Sequence, residues 1–207
     1  MAVKGLEAGK RAALLISECQ NGITNPQFSD TPLCRQVVER NTIAQVNALA
    51  AGFRAANLPV IHCTISARPD YEGWRVNCVL AAGIKKSGRL QMGTPSAAIH
   101  DDIVVAETDI ISDRHHGMAA FTGTDVDATL RGFNIDTVVF CGVSTNVALM
   151  GGSVEAVGLG YDVVIAEDCA AGGTAETHQV QITMHLPLVA TVSSKDAILA
   201  SPAFTGA

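Results

Sequence analysis

The chain offers few side chains that do chemistry, and the first is an acid. Residues 12–16 form an uninterrupted apolar run, and Glu18 follows two residues later with Gln20 just beyond. A carboxyl group at the end of a buried strand is costly unless it is paired, hydrogen-bonded or protonated, which makes Glu18 a candidate general acid or base. The plainer alternative is an edge carboxylate held by an arginine or a backbone amide. Two imidazoles stand together in Arg114-His115-His116-Gly117-Met118. Imidazole titrates near neutrality, so either one suits a charge partner for Glu18, while a surface pair in a loop is the ordinary alternative. The six cysteines, Cys19, Cys34, Cys63, Cys78, Cys141 and Cys169, are scattered singly without a CxxC pair. That spacing argues against a zinc site and for reduced thiols. Cys63, Cys141 and Cys169 end strand-like runs, where cysteine serves as a small buried hydrophobe.

These groups need elements to hold them. Strand-like apolar runs occur at residues 12–16, 59–64, 103–105, 137–141, 162–166 and 188–192, with helical patterns near 33–56, 145–158 and 174–186. Apolar strands buried on both faces and separated by helices are the signature of a parallel sheet covered on both sides. The expected fold is a single doubly wound α/β domain over residues 1–207, with a mostly parallel six-stranded sheet and helices on both faces. Ligands in such sheets bind beyond the carboxyl ends of strands, which nominates Glu18 to Gln20, Cys141 to Asn146, and Asp168. Residues 66–101, with the sole tryptophan, Trp74, are the least regular part. A long irregular segment of this kind is a lid, an interaction surface or a plain surface connection.

The chain has 207 residues, of which 48% are hydrophobic and 16% charged, and its net charge is −6. Acidic balance without a basic stripe argues against nucleic acid. No apolar run approaches the ~20 residues that span a bilayer, so no membrane partner is expected. The N-terminal Met1-Ala2-Val3-Lys4-Gly5-Leu6-Glu7 lacks the apolar core of an export signal, which makes the cytoplasm the expected setting.

Four segments together resemble the isochorismatase-like (cysteine hydrolase) superfamily. They are residues 14–21 (LLISECQN), 119–125 (AAFTGTD), 138–148 (VVFCGVSTNVA) and 160–169 (GYDVVIAEDC), in the family's order and spacing. Amidases of that family use an Asp, a Lys and a nucleophilic Cys. Carried over residue by residue, these positions are Glu18, His115 and Ala148, so all three are substituted. A methyl group is no nucleophile, and Ala148 marks a vacant nucleophile position. The resemblance makes Gln20, His116, Phe121, Val143, Ser144 and Asn146 the expected substrate-binding set. Gly142-Val143-Ser144 resembles the turn in which the family places a non-proline cis peptide, aiming backbone amides at the substrate oxygen. Residues 61–68 lack the Asp-x-His of the metal-holding relatives, so no metal or other cofactor is expected.

The resemblance implies a hydrolase of a small molecule acting without a cysteine, with Glu18 as acid or base toward a water or the substrate. The family's isochorismate hydrolases, which protonate a vinyl ether from the acidic position, are the precedent. The alternative is a catalytically silent member that binds a ligand or a partner. Family habit also implies a homo-oligomer.

Overall fold

The apolar runs become the centre of one six-stranded sheet in the computed structural model, which describes residues 3–205. Met1 and Ala2, with which the N-terminal reading begins, and Gly206 and Ala207 lie outside the described residues. In chain order the main elements are β1 (Ala12–Ser17), α1 (Asn21–Thr24), α2 (Pro32–Glu39), α3 (Thr42–Ala55), β2 (Val60–Ile65), α4 (Val79–Ser87), β3 (Ile110–Arg114) and α5 (Val126–Gly132). There follow β4 (Thr137–Val143), α6 (Met150–Gly158), β5 (Asp162–Ala171), α7 (Ala175–Val180), β6 (Thr191–Ser193), α8 (Lys195–Leu199) and α9 (Pro202–Thr205). All strand pairs are parallel, in the order β3-β2-β1-β4-β5-β6. No helix is long and apolar enough to cross a membrane among the described residues.

Alternation along the strands divides the core in two. Leu14, Ile16, Val139, Cys141 and Val164 pack with Val46, Leu49 and Phe53 of α3 and Ile198 of α8. Leu15, Val138, Phe140 and Ile165 pack on the other face with Leu130 of α5, Ala156 of α6 and Leu149. β1 and β2 are buried along their whole length, so β1 is apolar except for its last residue and β2 buries two polar side chains, His62 and Thr64, among apolar ones.

Several boundaries differ from expectation. Residues 103–105 are not the third strand: Ile103 is buried in the core, but Val104 and Val105 are exposed. The third strand is β3, an edge strand whose half-exposed Ile-Ile-Ser-Asp-Arg sequence lacks the continuous apolar pattern of the inner strands. The helical stretch 33–56 is two helices, broken where Asn41 adopts a left-handed φ of 52°. The last strand begins at Thr191, because Leu186–Leu188 forms a 3-10 turn and Leu188 is exposed.

The chain leaves β1 toward β2 and β3, then returns to place β4 on β1's other side. That reversal opens a crevice at the carboxyl ends of β1 and β4, the usual binding place of such sheets.

Candidate active site

Glu18 stands one residue past β1, with a left-handed φ of 50°. Its backbone N–H donates to the Cys63 carbonyl at 2.9 Å, continuing the pairing with β2 for one residue. Its carboxylate is ion-paired with the Arg114 guanidinium through Nη2 and Oε1. Arg114 ends β3, and its side chain is only 2% exposed. Its Nη1 donates to the Thr64 carbonyl at 3.3 Å, and its Nε is buried without a partner. A charge so deep in a protein needs its counter-charge, and Glu18 supplies it.

Glu18 lines a cavity of about 300 Å³ at the crevice. Ser144 and Asn146, just past β4, line the same cavity, as do Ile23, Leu33, Leu80 and Arg89. The peptide bond between Val143 and Ser144 is cis. Asn146 is oriented by the Gly173 N–H, which donates to its Oδ1 at 2.9 Å. Gly142 allows this turn: a side chain there would overlap the Ser17 carbonyl, and its φ is +88°.

The other residues expected from sequence have different surroundings. His115 is adjacent to Arg114 but turns elsewhere, its Nδ1 3.1 Å from the Ser66 carbonyl and 3.8 Å from Asp113. Arg114, not His115, is the cation against Glu18. His116 lines a separate hollow with Trp74 and Cys78. Gln20 is fully buried and pins the chain: its Nε2 donates to the Ile65 and Ala97 carbonyls at 2.9 and 2.6 Å, and its Oε1 accepts from Ile65 N at 2.8 Å. Phe121 packs in the core against Phe140 and Tyr161. Val143 is buried with Val37 and Ala171. Ala148 is buried, and its neighbours Asn146 and Val147 line the cavity instead. Asp168 lies within β5 rather than past its end, and accepts from Lys195 N at 2.8 Å at the start of α8.

Among the described residues no cysteine lines the cavity. Cys19, Cys34, Cys63, Cys141 and Cys169 are buried and unpaired, and Cys78 is exposed. Burial pushes the Cys19 and Cys63 thiols up to about 12 and raises Cys141 well above the ordinary thiol range. Behind the Ser144 turn, His178 links Thr145 (3.3 Å) to Glu167 (3.1 Å), and Arg40 also holds Glu167 at 2.5 Å. The His178 hydrogen bond, with Arg40 beside it, lowers the Glu167 carboxyl to about 2. His62 is likewise engaged, 2.9 Å from a buried Asp109 that Arg54 grips through two nitrogens.

Sequence reasoning missed Arg114 and Arg89. Arg114 sits inside the quoted histidine motif, and placing the third strand at residues 110–114 would have put it at a strand end. Arg89 lies in the irregular segment, where no periodicity points inward.

The chain matches the isochorismatase domain family over residues 12–197. It is 33% identical to YecD, an uncharacterized isochorismatase family protein of Escherichia coli O157:H7, over 92% of this chain and 95% of that one. It is 24% identical to maleamate amidohydrolase of Pseudomonas putida over 84% of this chain and 78% of that one. An isochorismatase family protein from Desulfovibrio vulgaris has a similar fold, with a TM-score of 0.80, 24% identity, and coverage of 92% and 97% of the two chains.

Proposed function

Because the chain belongs to the isochorismatase family, we propose that it is a small-molecule hydrolase that works without a cysteine nucleophile. Glu18 is its acid or base, activating a water or protonating the substrate. The observation that carries this reading is the Glu18–Arg114 pair beside a cavity that no thiol lines. A water attacking a carbonyl must lose a proton, and a fixed carboxylate within hydrogen-bond reach accepts it. Arg114 holds the carboxylate toward the cavity, acting on the reaction through Glu18. The Ser144 hydroxyl and the Asn146 amide supply polar contacts to the substrate oxygen on the β4 side. Thiol catalysis needs a thiolate, and the raised Cys19, Cys63 and Cys141 thiols give almost none at neutral pH.

The name of the relative maleamate amidohydrolase supports amides as the first substrate class to try. Esters and vinyl ethers complete the panel. The reading carries with it a homo-oligomer and a cytoplasmic setting, in which unpaired thiols stay reduced. The test is to measure turnover across the panel before and after iodoacetamide, with unfolding midpoints recorded. Turnover that survives alkylation is expected. Turnover lost on alkylation of a protein that stays folded, or in a stable Cys141→Ser variant, would return the chemistry to a thiol.

A further inference from the structure

The cavity carries an uncompensated positive charge. Among the described residues only two charged side chains line it, Glu18 and Arg89. Arg114 already neutralises Glu18. Arg89 has no carboxylate within 4.0 Å among the described residues. Its Nη1 rests on two neutral acceptors, the Gly22 carbonyl at 3.1 Å and the Ser29 hydroxyl at 2.9 Å. Those bonds fix the guanidinium in place and leave its charge unspent.

The surroundings hold this cation firmly. Tyr71, in the irregular segment, donates its hydroxyl to the Arg89 carbonyl at 2.5 Å. The next residue, Leu90, donates its N–H to Ser96 Oγ at 3.0 Å. Gly22 lies so close to this loop that a Cβ there would sit 2.8 Å from the Ser96 carbonyl. Apart from Glu18, Arg89, the Asn146 amide and a few hydroxyls, the walls are largely apolar, with Ile23, Leu33, Ile65, Leu80 and Ile84 among them. A guanidinium fork in an apolar, partly enclosed space matches a planar carboxylate, and desolvation strengthens the contact.

We propose that Arg89, with Ser29 beside it, is a recognition site for the carboxylate of a small monoanionic ligand whose apolar body fills the cavity toward Glu18. One free positive charge matches one negative charge; a phosphate dianion would leave a charge uncompensated. The volume, near the low end of the roughly 300–1,000 Å³ usual for small-molecule sites, limits the ligand to a few small groups. This proposal deepens the hydrolase reading by naming the substrate class as small carboxylates. It gives the irregular segment a specific purpose: the segment delivers the selecting cation to the cavity.

Binding by calorimetry tests it without any turnover. The probes are benzoate, its neutral counterpart benzyl alcohol, and phenyl phosphate. Benzoate is expected to bind wild-type protein about ten- to a hundredfold more tightly than benzyl alcohol, the range of a charge-assisted hydrogen bond. Arg89→Gln keeps a donor for the Gly22 carbonyl but removes the charge, so it should erase the preference. Arg89→Lys keeps the charge without the fork and should retain part of it. Unfolding midpoints near wild type certify both variants. Benzoate that fails to bind wild-type protein, phenyl phosphate that binds more tightly than benzoate, or a preference that survives Arg89→Gln each overturns the proposal. Failure of the hydrolysis panel refutes the catalytic reading alone, because benzoate binding requires no chemistry.

Discussion

Replacing Arg114 with methionine keeps the apolar stem of the side chain and removes its charge. In the native protein Arg114 is 2% exposed and Glu18 16% exposed, so the pair is buried except where Glu18 meets the cavity. Removing one partner of a buried ion pair typically costs about 3–5 kcal/mol, because the remaining charge is stranded. Glu18 stays partly exposed at the cavity, and the substitution also deletes the unpartnered Arg114 Nε, so the expected loss is smaller, about 2–3 kcal/mol. For a chain of this size that corresponds to a fall in Tm of about 4–12 °C. Glu18→Gln in the Arg114→Met background should recover much of the loss, because neither side chain then carries an unpaired charge. Urea unfolding of wild type, both single variants and the double variant supplies the coupling energy. An Arg114→Met protein within about 0.5 kcal/mol of wild type, or strictly additive effects in the cycle, would refute the buried-pair account.

Other perturbations should act through the same scaffold. Gly142→Ala forces a side chain onto the Ser17 carbonyl at a φ of +88°, so unfolding assays should show a loss of about 3 kcal/mol or more. Gln20→Leu strands the Ile65 N–H and two carbonyls, and is expected to cost about 2–5 kcal/mol in urea titration. Glu167 titrates lower in the folded protein than unfolded, so its stabilisation is complete above about pH 4.5 and is lost as pH falls toward about 2. With Glu167 partly exposed, that contribution is about 1–2 kcal/mol, and Glu167→Gln should flatten the acid limb of the stability–pH curve between those limits.

The sheet was legible in the sequence because its inner strands are buried on both faces. β1, β4 and the first half of β5 carry nearly continuous apolar runs, and β2 carries one interrupted only by His62 and Thr64. The edge strand β3 was not legible in that way, since only one of its faces is covered and its last three residues are Ser112, Asp113 and Arg114. Without an apolar run nothing in the sequence marks Arg114 as a strand end, whereas His115 is marked by its imidazole and by the family's Lys position. Glu18 was readable from its place after the first strand, and the Ser144 turn from its glycine and its neighbours. Gln20, Phe121 and Val143, which the family resemblance implied as substrate contacts, are buried in pinning and packing contacts. Polar type and motif position do not distinguish a side chain facing a cavity from one clamping two strands. Arg89 carried no signal at all, because its guanidinium is oriented by the Gly22 carbonyl and the Ser29 hydroxyl, which lie far from it along the chain.

On the proposed reading a carboxylate, not a thiol, handles the proton in the reaction. That reading is tested most directly by kcat and KM for Glu18→Gln on whichever panel substrate the wild-type protein turns over, with the unfolding midpoint measured in parallel. The expected result is a fall in kcat of about 10²–10⁴ with KM nearly unchanged, because the amide keeps the shape of the side chain but neither takes up nor gives the proton, while the unfolding midpoint reports the separate cost of leaving Arg114 without its counter-charge. A folded Glu18→Gln protein with wild-type kcat would contradict it.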